Sequence, residues 1–334
     1  MFDDTPKHHA YEALTPDVVL DALSDLGLEV DGRLTALSSY ENRVYQAMLD
    51  DNSSVVAKFY RPERWSDAQI LEEHSFAAEL MADEVPLVGP LTLHDKTLHH
   101  AHGFAFSVSP RRGGRMPELD DAEVLEWIGR FIARIHNVGA RQNFASRPTL
   151  NISTFAIESR DWLIENQIIP MDQQTEWLTL CNQAIEIATQ KFAEHPAHNI
   201  RLHGDCHPGN ILWTPTDLPN GGPHFVDLDD ARMGPAVQDL WMLLSGDRAE
   251  RTQQLSMLLD GYEQMRELNR SELALIEPLR TLRLIHYSAW LARRKDDPAF
   301  IQHFSWFGSS DYWAGQTHML VEQCEAMQEE PLYV

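Results

Sequence analysis

Residues 201–229 read RLHGDCHPGNILWTPTDLPNGGPHFVDLD. Two short apolar runs, from Ile211 to Trp213 and from His224 to Leu228, read as strands. The stretch TPTDLPNGGP between them, rich in Pro, Asn and Gly, reads as the turn of a hairpin. A hairpin brings its two ends together, so Asn210 and Asp227 are expected side by side, with Asp205 five residues before Asn210. A set of carboxylates and an amide oxygen, with no thiolate pair, suits a hard cation such as Mg²⁺. The plain alternative is an Asp- and His-rich solvated turn. The strand–turn–strand setting with its fixed offsets favours a site.

The catalytic loop of protein kinases reads H-R-D-L-x-x-x-N, with the base Asp five residues before a metal-binding Asn. His203-Gly204-Asp205 and Asn210 keep those offsets, and Asp227 stands where the kinase pattern has its second metal-binding Asp. Asp227-Leu228-Asp229 replaces the kinase DFG. The pattern H-G-D-x-H-x-G-N followed by an apolar residue and D-x-D resembles the aminoglycoside phosphotransferase and choline kinase branch of the kinase-like fold. The resemblance implies an α+β, bilobal protein-kinase-like architecture with a strand-rich N-lobe and a mainly helical C-lobe. It gives Asp205 and Asp227 catalytic roles, with Asn210 and Asp227 as ligands of Mg²⁺ and ATP as co-substrate.

Length and composition are compatible with this. The 334 residues allow one large domain or two lobes, and 43% apolar residues allow a sizeable core. No run approaches the ~18 apolar residues of a membrane span, and the N-terminal MFDDTPKHHAYEAL lacks the pattern of a signal peptide. Cys181, Cys206 and Cys324 are odd in number and far apart. They form no disulfide framework or zinc spacing, which fits a reducing cytoplasm. Within the candidate loop, Cys206 reads as a small packing residue or as an oxidation-sensitive thiol. The net charge of −24 disfavours nucleic acid and anionic membrane as partners and leans towards a cationic substrate or basic protein.

Along the chain, His8 and His9 read as exposed residues of a polar leader or as a metal pair. Thr15-Pro16-Asp17 opens a helix ending near Gly27. Two strand-like runs flank a turn at Asp50-Asp51-Asn52. The loop Ser38-Ser39-Tyr40-Glu41-Asn42 stands where kinases have a Gly-rich phosphate loop, yet it contains no glycine. Its backbone N–H groups and the Ser39 hydroxyl are candidate phosphate contacts. Val55-Val56-Ala57-Lys58 resembles the V-A-I-K strand whose Lys pairs with the α/β-phosphates. The following helix offers Glu72 and Glu73 as its partner, and Glu73 is preferred. The preceding RPERW block, residues 61–65, is basic and aromatic and has no assigned role. Further strands are expected at residues 91–93, 97–99 and 104–108. His99, His100 and His102 read as exposed edge-strand residues or as metal ligands.

Ser109-Pro110-Arg111-Arg112-Gly113-Gly114 breaks the composition and divides an N-lobe, residues 1–109, from a C-lobe, residues 110–334. Val124, Leu125, Ile128, Phe131, Ile132 and Ile135 form one helical stripe ending at His136, which reads as a packing residue. Helices are expected over 152–165 and 172–194, with Asp239 in another that opens near Gly234. The resemblance gives Asp239 a bracing role beneath the catalytic loop. A later helix carries Pro278, which is expected to kink it. Aromatics from Tyr287 to Trp313 read as core or as a ligand box.

The blocks SYENRVYQ, VVAKFYRPERW, ILEEHSFA, RLHGDCHPGNILW, FVDLDDARMGPAVQDLWMLL and DPAF together resemble the bacterial stress response kinase A (SrkA/RdoA) family. That resemblance implies a cytoplasmic serine/threonine protein kinase using ATP and Mg²⁺, with a protein substrate offering a Ser/Thr acceptor; a monomer is the separate expectation. A small-molecule kinase of aminoglycoside, choline or homoserine type stays open, as does a non-enzymatic nucleotide-binding regulator. The hairpin loop over residues 214–223 is long for the pattern, and the acidic surplus is unusual.

Overall fold

The computed structural model describes residues 10–334; His8 and His9 lie outside the described residues. The elements in chain order are α1 (Pro16–Ser24), β1 (Val30–Ala36), β2 (Arg43–Leu49), β3 (Ser54–Phe59), α2 (Asp67–Ala82), β4 (His99–Ala101) and β5 (Phe104–Pro110). They continue with α3 (Ala122–Gly139), α4 (Glu158–Glu165), α5 (Met171–Glu194), β6 (Ile200–Leu202), β7 (Ile211–Thr214), β8 (Gly222–Phe225) and β9 (Arg232–Gly234). The helices α6 (Gln238–Trp241), α7 (Arg248–Tyr262), α8 (Ile276–Ala292), α9 (Phe300–Phe304) and α10 (Ser310–Ala326) complete the chain. Among the described residues no helix is long and apolar enough to cross a membrane.

The chain forms two units. The first comprises Met1–Glu118, Phe144–Arg147 and Pro208–Ala231; the second comprises Leu119–Asn143, Pro148–His207 and Arg232–Val334. The first unit thus runs nine residues past the composition break at 109 and takes in two later pieces. Backbone hydrogen bonds explain why: Val88 N–H donates to Phe225 O, Phe225 N–H to Pro86 O, and Arg115 pairs with Trp213 in both directions. These tie the β7–β8 hairpin to the strand-rich unit.

In the first unit the strands form one antiparallel sheet in the order β1-β2-β3-β5-β4. Strand alternation buries Val55, Ala57 and Phe59 of β3 with Ala47, Phe104, Phe106, Val108 and residues of α1. It sends Lys58 to the opposite face of β3. Thr15 caps α1 by accepting from Val18 N–H, with Pro16 in the first turn. Ser66 and Gln69 make a reciprocal capping box on α2. Residues 91–93 do not form the expected strand; they meet Lys96 in a single bridge at Leu93. His99 is buried against Phe106, not exposed, while His100 on the same short edge strand is exposed and bonds Asp67. Among the described residues no group of three or more His, Cys, Asp or Glu side chains is arranged to hold a metal ion.

In the second unit the α3 stripe is buried at Val124, Leu125, Ile128, Ile132 and Ile135; Phe131 is only half-buried. The backbone of α3 at Gly139 comes so close to Arg201 that a Cβ there would clash with its carbonyl oxygen. Pro278 sits in the first turn of α8, where its missing N–H costs nothing, so α8 runs through it to Ala292. The aromatic stretch divides: Phe300 and Trp313 are core, whereas Tyr287 and Trp306 are exposed.

Candidate active site

Lys58 is the centre of an ion-pair cluster in the first unit. Its Nζ lies 2.8 Å from Asp227 Oδ1, 3.2 Å from Asp229 Oδ1 and 3.6 Å from Glu73 Oε1. The helix decides between the two glutamates. Successive residues of an α-helix point about 100° apart, and the face of α2 that buries Ile70, Ala77 and Leu80 also buries Glu73. Glu72 faces elsewhere and accepts from the backbone N–H groups of Ala145, Ser146 and Arg147.

Two arginines complete the cluster. Arg64, from the RPERW block, reaches Asp229 Oδ2 at 2.7 Å and Asp230 Oδ1 at 2.9 Å. Arg147 is buried; it donates to the carbonyls of Gln69, Asp229 and Ala231 and lies 3.3 Å from Glu73 Oε2. Burial alone would lower the Lys58 pKa, but Asp227, Asp229 and Glu73 outweigh it and hold the ammonium well above the ordinary lysine range. Asp229 is likewise opposed by burial, yet Arg64 and Lys58 keep its carboxyl below the usual range. Glu73 goes the other way: burial, aided by the charges of Asp229 and Asp227, raises it despite Lys58.

Behind Lys58 lies a neutral polar network. The ammonium sits 5.0 Å over the Tyr60 ring. The Tyr60 hydroxyl lies 2.8 Å from His74 Nε2 and 3.1 Å from Ser107 Oγ, and His74 Nδ1 lies 2.8 Å from Thr97 Oγ1. Burial, then the charges of Lys58 and Arg147, push His74 down to about 3.

Asn210 and Asp227 stand at the open ends of the β7–β8 hairpin. The register pairs Ile211 with Phe225, and Val226 N–H donates to Asn210 O at 3.0 Å. Asn210 therefore opposes Val226, one residue short of Asp227. The second strand ends at Phe225, not at Leu228. Asp227 turns the chain with a left-handed backbone (φ 62°, ψ 71°) into a 3₁₀ turn over Leu228–Asp230. That conformation is one that Asp tolerates better than most residues, and it leaves the Asp227 side chain 46% exposed. A carboxylate and an amide oxygen on adjoining backbone, without sulfur, fit Mg²⁺, which takes one or two protein oxygens and completes its shell with phosphates and water. Ser39 is half-buried in the loop between β1 and β2, outside the ion-pair cluster.

Asp205 belongs to the second unit. Its Oδ1 lies 2.8 Å from Arg283 Nη1, and its Oδ2 lies 3.5 Å from His207 Nε2. Gly204, just before it, has φ +85°, a conformation in which a side chain would be strained. Asp239 braces this turn from a fully buried position: its two carboxylate oxygens accept from the backbone N–H groups of His203 (2.8 Å) and Gly204 (2.9 Å). His136 Nε2 lies 3.1 Å from Asp239 Oδ2, and His136 Nδ1 lies 2.9 Å from the Tyr262 hydroxyl. Burial opposes the Asp239 charge, but His136 and the Gly204 N–H keep its pKa low. Cys206 is buried, and burial raises its thiol pKa well above the free value, which makes it a packing residue.

A family model described as "Phosphotransferase enzyme family" matches residues 33–275. The chain is 47% identical over 322 residues to stress response kinase A of Escherichia coli strain K12, covering 96% of each chain. The chain belongs to the stress response kinase A family of phosphotransferase enzymes. Another relative in this family, serine/threonine protein kinase RdoA of Salmonella typhimurium strain LT2, is 44% identical over the same shares. The fold is also that of solved small-molecule kinases. An amicoumacin kinase in complex with AMP-PNP, Ca²⁺ and Ami superposes with a TM-score of 0.70 at 21% identity, covering 95% of this chain and 94% of that one. Choline kinase LicA from Streptococcus pneumoniae superposes with a TM-score of 0.62 at 15% identity, covering 93% and 98%. The family and the α+β kinase-like fold make the chain a phosphotransferase built for a nucleotide. Sequence reasoning missed Arg147 and Arg283, which are single cations with no motif around them. Arg64 was visible only as part of an unassigned basic block.

Proposed function

We propose that this protein is an ATP- and Mg²⁺-dependent serine/threonine protein kinase acting in a bacterial stress response in the cytoplasm. The observation that carries the reading is the Lys58 cluster with Glu73, Asp227 and Asp229, on the same chain as a braced His203-Gly204-Asp205 turn. The printed name of one relative, serine/threonine protein kinase RdoA, supports the protein acceptor.

In this reading a Ser/Thr hydroxyl attacks the γ-phosphorus, the new O–P bond forms, and the β–γ bridging bond breaks to release ADP. Asp205 orients the hydroxyl and takes its proton. Lys58, steadied by Glu73, contacts the α/β-phosphates, and Ser39 contacts phosphate from its loop. Asn210 and Asp227 would hold Mg²⁺, whose charge would offset that of the phosphates. The rate gain comes from positioning and charge neutralisation.

A second reading, phosphorylation of a small cationic acceptor, is favoured by the net charge of −24 and by the exposed Tyr287 and Trp306. Both readings share every residue above and differ only in the residues that select the acceptor. Purified protein with γ-labelled ATP and Mg²⁺ is offered a generic basic protein, or a panel of aminoglycosides, choline and homoserine. Label on Ser/Thr supports the protein kinase. ATP turnover that depends on a small alcohol, with no protein label, replaces it with the second reading.

A further inference from the structure

The RPERW block finds its use at Arg64. Kinase phosphate loops are glycine-rich and hold phosphate through backbone N–H groups. The loop between β1 and β2 has no glycine, and in place of backbone freedom it has fixed anchors. Glu41 Oε1 lies 3.2 Å from Arg61 Nε and 3.3 Å from Arg64 Nη1. The Glu41 carbonyl accepts from the Tyr11 hydroxyl at 3.0 Å and from Arg61 Nε at 3.3 Å. The buried Asn42 side chain accepts from the Arg61 N–H at 3.1 Å. Arg64 also reaches the other wall of the site, since the same Nη1 lies 2.7 Å from Asp229 Oδ2 and Nη2 lies 2.9 Å from Asp230 Oδ1. The Arg64 side chain is 14% exposed, Glu41 13% and Asp229 5%, so these pairs are shielded from solvent screening.

We propose that Arg64 is a positioning residue that latches the glycine-free phosphate loop, through Glu41, to the Asp229–Asp230 turn that follows the metal ligand Asp227. The latch fixes the spacing between the loop's phosphate contacts and the metal-binding turn. An arginine suits this bridging role because its planar fork can hold carboxylates on two sides at once, whereas a lysine offers one compact charge. This rests on the phosphotransferase reading of the site, because only there does the spacing act on ATP.

The test uses the full chain and the variants Glu41→Gln, Arg64→Gln and Arg64→Lys. Glu41→Gln removes the loop side of the latch while leaving Arg64 on Asp229, so it remains informative if Arg64→Gln folds poorly. The first readout is amide hydrogen exchange without nucleotide at Leu37 and Arg61. The Leu37 N–H bonds Val44 O across the neck of the loop, and the Arg61 N–H bonds Asn42. The second readout is KM for ATP against kcat. We expect faster exchange at both amides and a KM for ATP raised about two- to five-fold, the size of one lost ion pair. The effect on kcat should be smaller, with Arg64→Lys intermediate in both readouts. Unchanged exchange in Glu41→Gln overturns the latch even if KM rises. Faster exchange with unchanged KM overturns the positioning role and leaves only a structural one. If the wild-type protein transfers no phosphate to any acceptor, the functional reading fails by itself, and the exchange experiment alone decides whether Arg64 holds the loop.

Discussion

Lys58 Nζ and Asp227 Oδ1 lie 2.8 Å apart although 169 residues separate them in the chain. The contact joins a central strand of the sheet to the turn that follows β8, within one unit. The ammonium ties that turn to β3, and in the proposed mechanism it carries the charge that would meet phosphate. Three carboxylates converge on it, and each has a different balance of burial and pairing.

Lys58→Met should lower kcat/KM for ATP by about 10²–10³ and destabilise the fold by roughly 3 kcal/mol at neutral pH, because it strands buried carboxylates. Glu73 already has a raised pKa, so losing the ammonium pushes it further up. The stability lost by the variant should shrink as the pH falls and Glu73 takes up a proton. Chemical denaturation of both proteins between pH 5 and 8 checks this; a stability gap that stays constant over that range counts against the cluster as drawn.

Asp239→Asn should slow transfer more than it weakens ATP binding. Both carboxylate oxygens accept from backbone N–H groups, and an amide offers one oxygen and one NH₂. One of the two donors then faces another donor in a fully buried site, at a cost of about 2–3 kcal/mol. Equilibrium unfolding gives the cost, and steady-state kinetics give the split. A kcat equal to wild type would show that the Asp205 turn keeps its shape without the brace.

His74 provides a pH test. Its folded pKa is depressed to about 3, against about 6.5 in the unfolded chain. The unfolded state binds the extra proton between these values, so the contribution of neutral His74 is complete above about pH 6.5. It is lost progressively as the pH falls towards 3. His74→Gln removes the titrating group, so its stability should fall less steeply than wild type between pH 6.5 and 4. Parallel slopes of unfolding free energy against pH would contradict the assignment.

The sequence was informative wherever chemistry is set by local spacing. The β7–β8 hairpin beside Asn210 and Asp227, the alternation that turns Lys58 away from Phe59, and the Thr15 cap all follow from short-range geometry. Spacing could not show how side chains far apart in sequence share charge. Asp229 pairs with Lys58 and Arg64, and Arg147 lies on carbonyls more than seventy residues away in both directions; none of this leaves a local pattern. The β7–β8 register sets Asn210 opposite Val226, and β8 ends early for a separate reason. The left-handed turn at Asp227 occurs at an Asp, where the sequence carries no glycine to mark it.

Whether the braced turn carries the chemistry is decided by comparing phosphoryl transfer from γ-labelled ATP, and ATP affinity, in wild type, Asp205→Asn and Asp227→Asn. Asp205→Asn should lose about 10²–10⁴ in the transfer rate, the range for a general base, while binding Mg²⁺-ATP nearly as well as wild type. Asp227→Asn should lose Mg²⁺-dependent nucleotide binding itself. Transfer by Asp205→Asn at the wild-type rate would contradict the mechanism, because the braced turn would then not be the site of the chemistry.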